Sequence, residues 1–190
     1  MQHFLQQINA YYPISEETQQ ALLRICKTVH FKKNEVILKA GELARYYYYI
    51  QEGLLGYYSL DKSGNMIYKI FFEEQAFVAS TSAIIENKPS DFSIVALEDT
   101  SLIVYPAKEF RELVQQYHDL ALFQINYLEK NWVVKKEPLE INLKSETAKQ
   151  RYIKLYENQK LYHRLKQHQI ASYLGVTPTQ LSRIRKELGH

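Results

Sequence analysis

Short runs of aliphatic and aromatic residues, separated by polar turns, dominate the chain between residues 29 and 105. Runs of about four to eight residues that are rich in Tyr, Phe, Ile and Val and are bounded by turn residues are typical of β-strands. Turns that contain Gly41, Gly53 and Gly64 separate several of these runs. The pattern predicts a small antiparallel sandwich or barrel with strands at residues 29–33, 36–39, 46–51, 54–60, 66–72, 77–80, 92–97 and 101–105.

Helical patterns stand on both sides of this β region. Ser15 can cap a helix whose first turn carries Glu16 and Glu17, because carboxylates are favourable at the positive end of the helix dipole. Behind the strands, Pro106 can open a short helix over residues 107–117, since its missing N–H is not needed at the first helical position. A further helix is expected over residues 145–158, with Ser145 as its cap.

A longer helix begins at Asp119 and should kink or end near residue 136, because Pro138 removes a helical hydrogen bond. Beside a small β domain, a long helix can pack on that domain or on its twin in a dimer. Its apolar positions follow a spacing of three and four residues. The predicted dimer contact consists of Leu120, Phe123, Tyr127 and Val134.

Residues 167–188 have the pattern of two short helices joined by a tight turn. Ile170 and Leu174 share the apolar side of the first helix. Gly175 stands where the chain must reverse, a position that suits a residue tolerant of positive φ. Thr177 can cap the second helix, and Gln180 three residues later completes a capping box.

The second of these helices has the features of a DNA recognition helix. Leu181, Ile184 and Leu188 face inward at helical spacing, which leaves a polar surface at the start of the helix. Such a helix start offers hydrogen bonds to base edges and attracts phosphate, and Arg183 can pair bidentately with a guanine. An ordinary helical hairpin explains the apolar positions equally well, but not this polar surface. The predicted DNA-binding residues are Gln169, Thr177, Pro178, Thr179, Gln180, Ser182, Arg183 and Lys186; Arg164, Lys166 and Arg185 are expected to join Lys186 in binding backbone phosphates.

The charge distribution supports a polyanionic partner for the C-terminal part. Residues 1–143 carry 14 basic and 18 acidic side chains, whereas residues 144–190 carry 10 basic and 3 acidic ones. A solvated basic surface without a partner would show the same asymmetry. The single cysteine, Cys26, excludes an internal disulfide and a zinc or iron–sulfur site built from several thiolates. Without a signal-peptide pattern or a long apolar span, we expect a cytoplasmic protein.

The order of these elements resembles the Crp/Fnr family of transcription regulators over nearly the whole chain. The resemblance rests on residues 38–42, 48–53 and 77–80, on the Gly64 turn and on the pattern at 170–188. It implies an α+β fold with an N-terminal, jelly-roll-like antiparallel β-roll over residues 1–118, a long dimerisation helix over 119–143 and a C-terminal helix-turn-helix domain over 144–190. The resemblance further implies a homodimer on a roughly palindromic operator in double-stranded DNA, with RNA polymerase and a small-molecule effector as candidate partners. The short segment 155–166 leaves little room for the β-hairpin wing of many members.

The effector pocket departs from the members that bind cyclic AMP. Those members carry a Gly-Glu pair where this chain has Ala79-Ser80, and an Arg-Ser pair near the position of Ser90-Asp91. Without the arginine, a bidentate contact to a cyclic phosphate is missing, and Asp91 would face the anion. We therefore expect an effector other than cyclic AMP, or none. The candidate pocket residues are Ala79, Ser80, Thr81, Ser82, Ser90 and Asp91.

Two other function classes explain the sequence less well. A metal enzyme of the cupin type needs histidines inside the roll, but the chain has none between His30 and His118. We therefore expect no catalytic residues, no metal and no cofactor. The alternative function is a regulatory module that binds a nucleotide or a protein without contacting DNA. The capped, polar helix near the C-terminus argues against that module.

Overall fold

The computed structural model describes residues 1–138 and 145–190. Eight strands form two four-stranded sheets, with the strand orders β1-β8-β3-β6 and β2-β7-β4-β5, and every strand pair is antiparallel. The strands are β1 Lys27–Phe31, β2 Val36–Leu38, β3 Tyr46–Glu52, β4 Leu55–Leu60, β5 Met66–Phe72, β6 Phe77–Val78, β7 Ser93–Ala96 and β8 Thr100–Pro106.

The two sheets enclose a roll whose interior is filled by aliphatic and aromatic side chains. Leu38, Ile50, Leu55, Ile94 and Leu102 belong to this central cluster. The eight strands expected from the sequence are all confirmed, with ends that differ by at most two residues. The largest differences are at β1 and at β6, which is shorter because the chain turns at Ser80 into a helix.

Four helices cover the outer face of the first sheet. Their shared core includes Phe4 from the N-terminal helix, Phe110 and Leu120, packed on Tyr49 and Ile103 of the sheet. The predicted cap at Ser15 is confirmed, since its hydroxyl accepts a hydrogen bond from the amide of Thr18 at 3.2 Å. The helices of the N-terminal part are α1 Gln2–Tyr11, α2 Glu16–Ile25, α3 Thr81–Glu86, α4 Ala107–Gln116 and α5 His118–Leu128.

The long helix starts within one residue of its predicted beginning. From α5 it continues without a break into a π-helical segment, Glu129–Val134, because the linking residues keep right-handed helical dihedrals. A π-helix has a wider turn than an α-helix, so the side chains beyond Glu129 are rotated relative to a straight α-helical stripe. The expected boundary between residues 143 and 144 lies outside the described residues.

Helices alone make up the described part of the C-terminal region, which agrees with the expected lack of a full β-hairpin wing. The predicted helix over 145–158 is present, but Thr147 rather than Ser145 caps it, in a capping box with Gln150. Leu155, Leu165 and Ile170 pack with Tyr68 on the outer face of the second sheet. The elements are α6 Ala148–Glu157, α7 Gln159–Tyr162, α8 Gln167–Leu174 and α9 Pro178–Glu187.

Candidate nucleic-acid interface

The turn between α8 and α9 has the local geometry expected from the sequence. Gly175 adopts a left-handed conformation with φ of 69°, which allows the chain to reverse after α8. Thr177 then accepts a hydrogen bond from the amide of Gln180 at 3.2 Å, and the side chain of Gln180 accepts one from the amide of Thr177 at 2.8 Å. With Pro178 at the first position, this capping box begins α9 at one defined residue.

The inward face of α9 fixes which side chains point outward. Leu181 is buried, and Ile184 and Leu188 are partly buried in the same cluster, so the opposite side of the helix faces solvent. The exposed residues are Thr177, Pro178, Thr179, Gln180, Ser182, Arg183 and Lys186. Seven of the eight predicted DNA-binding residues therefore lie on one accessible surface, which we call the recognition surface.

Gln169 does not share this exposure. Its side chain is only 7% exposed, and its oxygen accepts a hydrogen bond from the amide of Lys166 at 2.7 Å. The residue caps the start of α8 and lies against Tyr68. Because α8 packs on the roll, the position expected for a DNA contact is turned towards the protein interior.

Internal partners engage several of the basic side chains in the C-terminal region. Lys149 pairs with Glu187 at 3.0 Å, and Arg151 donates to the carbonyl of Leu174 at 2.8 Å. Arg164, expected from the sequence to contact phosphate, instead pairs with carboxylates of the roll. By contrast, Arg183 and Lys186 are exposed and form no ion pair with any residue in the described ranges.

Two of the six predicted effector-pocket residues are buried and hydrogen-bonded to each other. Ser80 is 1% and Ser90 2% exposed, and their hydroxyl oxygens are hydrogen-bonded at 2.8 Å. The hydroxyl of Tyr57 donates to Ser80 at 3.3 Å, and Ser90 donates to the carbonyl of Phe92 at 2.7 Å. Burial raises the pKa of Tyr57, so its hydroxyl stays protonated and able to donate.

A stacked aromatic pair and a lysine lie beside these hydroxyl groups. The rings of Tyr57 and Phe92 stack with centroids 4.7 Å apart, and the ammonium group of Lys69 lies 4.6 Å from the centroid of Phe92. Of the other predicted pocket residues, Ser82 and Asp91 are exposed. Ala79 and Thr81 instead line a groove of about 520 Å³ between the roll and the long helix.

The long helix presents a different apolar surface from the predicted one. Leu120 and Phe123 are buried in the core of their own chain and Tyr127 is partly buried there, so these residues hold α5 on the roll rather than facing a partner. Val134, by contrast, is 65% exposed. The exposed apolar residues on this helix, which we call the helix stripe, are Ile125, Trp132, Val133 and Val134.

Other kinds of site find no support in the described residues. Across residues 1–138 and 145–190, no helix has the length and apolar character needed to cross a membrane. In the same ranges, no group of three or more His, Cys, Asp or Glu side chains is placed to hold a metal ion.

Comparisons with known proteins first define the class of the N-terminal part. Residues 28–117 match the family of the cyclic nucleotide-binding domain. No curated protein matches the chain in sequence. The matched range includes all eight strands except Lys27, the first residue of β1. The roll therefore has the fold of a cyclic nucleotide-binding domain.

Solved structures then show where the complete fold occurs. The global regulator CLP of Xanthomonas campestris, described as responsive to c-di-GMP, has a TM-score of 0.74 at 14% identity, covering 92% of this chain and 92% of its own. A protein of Eubacterium rectale assigned to the Crp/Fnr family of transcriptional regulators has a TM-score of 0.67 at 17% identity, covering 95% of this chain and 88% of its own. The fold is therefore the α+β fold of Crp/Fnr regulators, including the C-terminal helices.

The roll alone also occurs in proteins of another kind. The regulatory subunit of a cAMP-independent protein kinase A from Trypanosoma brucei has a TM-score of 0.55 at 17% identity. That match covers 72% of this chain and 49% of the kinase subunit. The presence of the roll therefore does not by itself identify the function of this chain.

Proposed function

We propose that this chain is a sequence-specific DNA-binding transcription regulator of the Crp/Fnr type. The observation that carries the proposal is the recognition surface, where a capped helix presents Thr179, Ser182 and Arg183 to solvent. A helix start of this kind fits the major groove, where hydroxyl and guanidinium groups read base edges. Among the described residues, Arg183 and Lys186 have no ion-pair partner, and their charge suits a phosphate backbone.

The regulator acts as a homodimer through the helix stripe. Four apolar side chains, Ile125, Trp132, Val133 and Val134, stand exposed along one helix of the described chain. Exposed apolar residues clustered in this way mark contact surfaces. A twofold axis beside this helix gives two copies of α9, and two recognition helices about 34–36 Å apart read a roughly palindromic site.

Cyclic AMP is not the effector in this proposal. The predicted pocket residues Ser80 and Ser90 are hydrogen-bonded to each other, and the hydroxyl of Tyr57 donates to Ser80. An incoming ligand would have to break these bonds and separate the stacked rings of Tyr57 and Phe92. RNA polymerase is a candidate further partner of the proposed regulator.

The alternative is a regulatory module that binds a protein or nucleotide but no DNA. The roll shared with the kinase subunit favours it, whereas the exposed polar start of α9 favours DNA. Salt dependence separates the two functions. DNA affinity falls with salt at a log–log slope of about −0.9 for each phosphate neutralised, and a protein adaptor shows no such DNA binding.

The test is selection of bound sites from random duplexes, with and without added cell metabolites. We expect a palindromic consensus that is enriched without metabolites. Arg183→Ala should then weaken binding of the selected site by about 1–3 kcal/mol and relax the preference at one base pair. The matched control is Arg111→Ala, which removes an exposed arginine from α4 on the roll and should leave binding unchanged. Failure to enrich any site, or an Arg183→Ala variant with wild-type affinity and footprint, contradicts the proposed reading surface.

A further inference from the structure

The helix-turn-helix is attached to the roll by a continuous apolar contact. Tyr58, Tyr68 and Phe71 project from the outer face of the second sheet and are buried in one cluster with Ile170 and Leu174 of α8. Separating the two parts would expose these aromatic rings to water. Soluble proteins seldom expose an apolar surface of this kind, so the attached state is favoured.

A side chain of α8 also completes the open edge of the second sheet. β5 is the last strand of that sheet, and the hydroxyl of Ser172 accepts a hydrogen bond from the amide of Tyr68 at 3.0 Å while donating to the carbonyl of Met66. Apolar contacts carry no direction, whereas these two bonds define where α8 lies along β5. The edge groups are thereby paired within the chain.

Arg164 adds an electrostatic contact just before α8 begins. Its guanidinium donates two hydrogen bonds to Glu74, at 2.7 and 3.0 Å, and also donates to Glu98 from Nη2 at 2.7 Å and from Nε at 3.2 Å. Glu74 lies in the turn between β5 and β6, and Glu98 in the turn between β7 and β8. A planar guanidinium held between carboxylates from two turns cannot rotate without losing bonds, so it fixes orientation as well as distance.

The environment of this ion cluster keeps it charged. The side chain of Arg164 is only 16% exposed. Burial alone would raise the pKa of Glu74, but hydrogen bonds from Arg164 and Lys160 outweigh burial and hold that pKa at about 2. Lys160 also lies 2.9 Å from Glu74, so the helices before α8 contribute a second cation to the same carboxylate.

We propose that Arg164 is a positioning residue that holds the helix-turn-helix at one orientation on the roll. Together, the Glu74–Arg164–Glu98 cluster and Ser172 fasten α8 near both of its ends, and α9 follows after the short Gly175 turn. Since the long helix packs on the same roll, the distance between the two copies of α9 in a dimer is set by the protein without a ligand. This inference rests on the proposed DNA-binding function.

The first experiment measures the dependence of DNA binding on half-site spacing. The protein, as the full chain, is titrated with the selected palindrome and with versions lengthened or shortened by one and two base pairs. In Arg164→Gln, affinity for the best spacing should fall about tenfold or more and the preference among spacings should flatten, while affinity for a single half-site stays within about twofold. Lys149→Gln removes a cation paired with Glu187 inside the same helical region and should leave the preference unchanged.

The second experiment reads the attachment without DNA. Hydrogen exchange at the amide of Tyr68, which donates to Ser172, should accelerate in Arg164→Gln and stay unchanged in Lys149→Gln. If Arg164→Gln does not fold, Glu98→Gln replaces it, because that variant removes one carboxylate and leaves Arg164 with Glu74.

Each outcome decides the inference. An unchanged spacing preference, unchanged Tyr68 exchange, or tighter operator binding after loss of Arg164 overturns it; the last result would mean that attachment keeps α9 away from DNA. If the wild-type chain binds no duplex, the proposed function fails, and the positioning role for DNA fails with it. Tyr68 exchange then still reports separately whether Arg164 secures the attachment.

Discussion

The closed pocket of the roll and the recognition surface of α9 use similar side chains in opposite ways. In the pocket, Ser80, Ser90 and Tyr57 are buried and bonded to one another. On α9, Ser182 and Arg183 are exposed. A hydroxyl whose bonds are satisfied inside a core has a structural role, whereas a hydroxyl or guanidinium kept in solvent is available to a ligand.

The difference indicates which part of the molecule recognises a partner. Inside the roll, the stacked rings of Tyr57 and Phe92 lie beside the buried serines, because Tyr57 donates to Ser80 and the carbonyl of Phe92 accepts from Ser90. The polar groups that remain available lie on the C-terminal helices. In the proposed function, specificity therefore resides in DNA contacts, and the roll supports α8 and the long helix.

The largest expected effect concerns the helix stripe, which is exposed like the recognition surface. The double variant Trp132→Glu/Val134→Glu places two carboxylates on residues that are exposed in the protomer. The protomer should fold normally but remain monomeric, and loss of the second half-site contact should weaken operator binding by about 10²–10⁴-fold. Light scattering measures the mass, and a binding titration with the selected duplex measures the affinity.

Two further variants show whether that loss is specific to the stripe. Gln115→Glu/Gln116→Glu adds the same charge at exposed positions of α4 and should leave the dimer intact. Phe123→Glu instead buries a carboxylate in the core of its own chain, so it should destabilise the protomer itself. A stable dimer in the Trp132→Glu/Val134→Glu variant would place the interface elsewhere.

Local sequence signals predicted the parts of the fold that depend on neighbouring residues. Short aliphatic and aromatic runs between turn residues marked all eight strands. The Thr177–Gln180 capping box located the start of α9, because capping uses side chains only three residues apart. Contacts between distant residues left no such signal. Arg164 pairs with Glu74 and Glu98, which lie 90 and 66 positions away in the sequence. Because this pairing could not be predicted, we expected Arg164 to contact phosphate.

The long helix shows the same limit of prediction from neighbouring residues. A spacing of three and four residues identifies an apolar face of a helix, but it does not show whether that face packs on the roll of the same chain or on a second copy. Leu120 and Phe123 pack on the roll of their own chain. The π-helical segment changes the direction in which the following side chains point, and no pattern in the sequence predicted this segment. The helix α1 was not predicted, although Phe4, Leu5, Ile8 and Tyr11 recur at the spacing of one helical face.

An intermediate effect on stability is expected when an arginine is placed among the predicted pocket residues. Ser90→Arg introduces a long cation at a position that is buried between Ser80 and the Tyr57–Phe92 stack. Overpacking of this closed space should lower the free energy of unfolding by about 1–3 kcal/mol, and cyclic AMP should still not bind. Urea unfolding measures the stability, and titration calorimetry measures the nucleotide.

The exposed Ser82 provides the control for this variant. Ser82→Arg makes the same chemical change next to the pocket but in solvent, so the stability should stay within about 0.5 kcal/mol of the wild type. If Ser90→Arg kept full stability and bound cyclic AMP, the pocket would be open space rather than filled core, and the contrast with the recognition surface would fail.

The smallest expected effect comes from the cap of α9. Thr177→Ala removes the hydroxyl that accepts from the amide of Gln180, which should lower the free energy of unfolding by about 1 kcal/mol. Thr177→Ser keeps the accepting oxygen and should recover that loss in urea unfolding. Because the cap lies at the start of the recognition surface, operator affinity should follow stability in the alanine variant and return with serine. A serine variant as unstable as the alanine variant would show that the methyl group of Thr177, and not its hydrogen bond, secures the beginning of the helix.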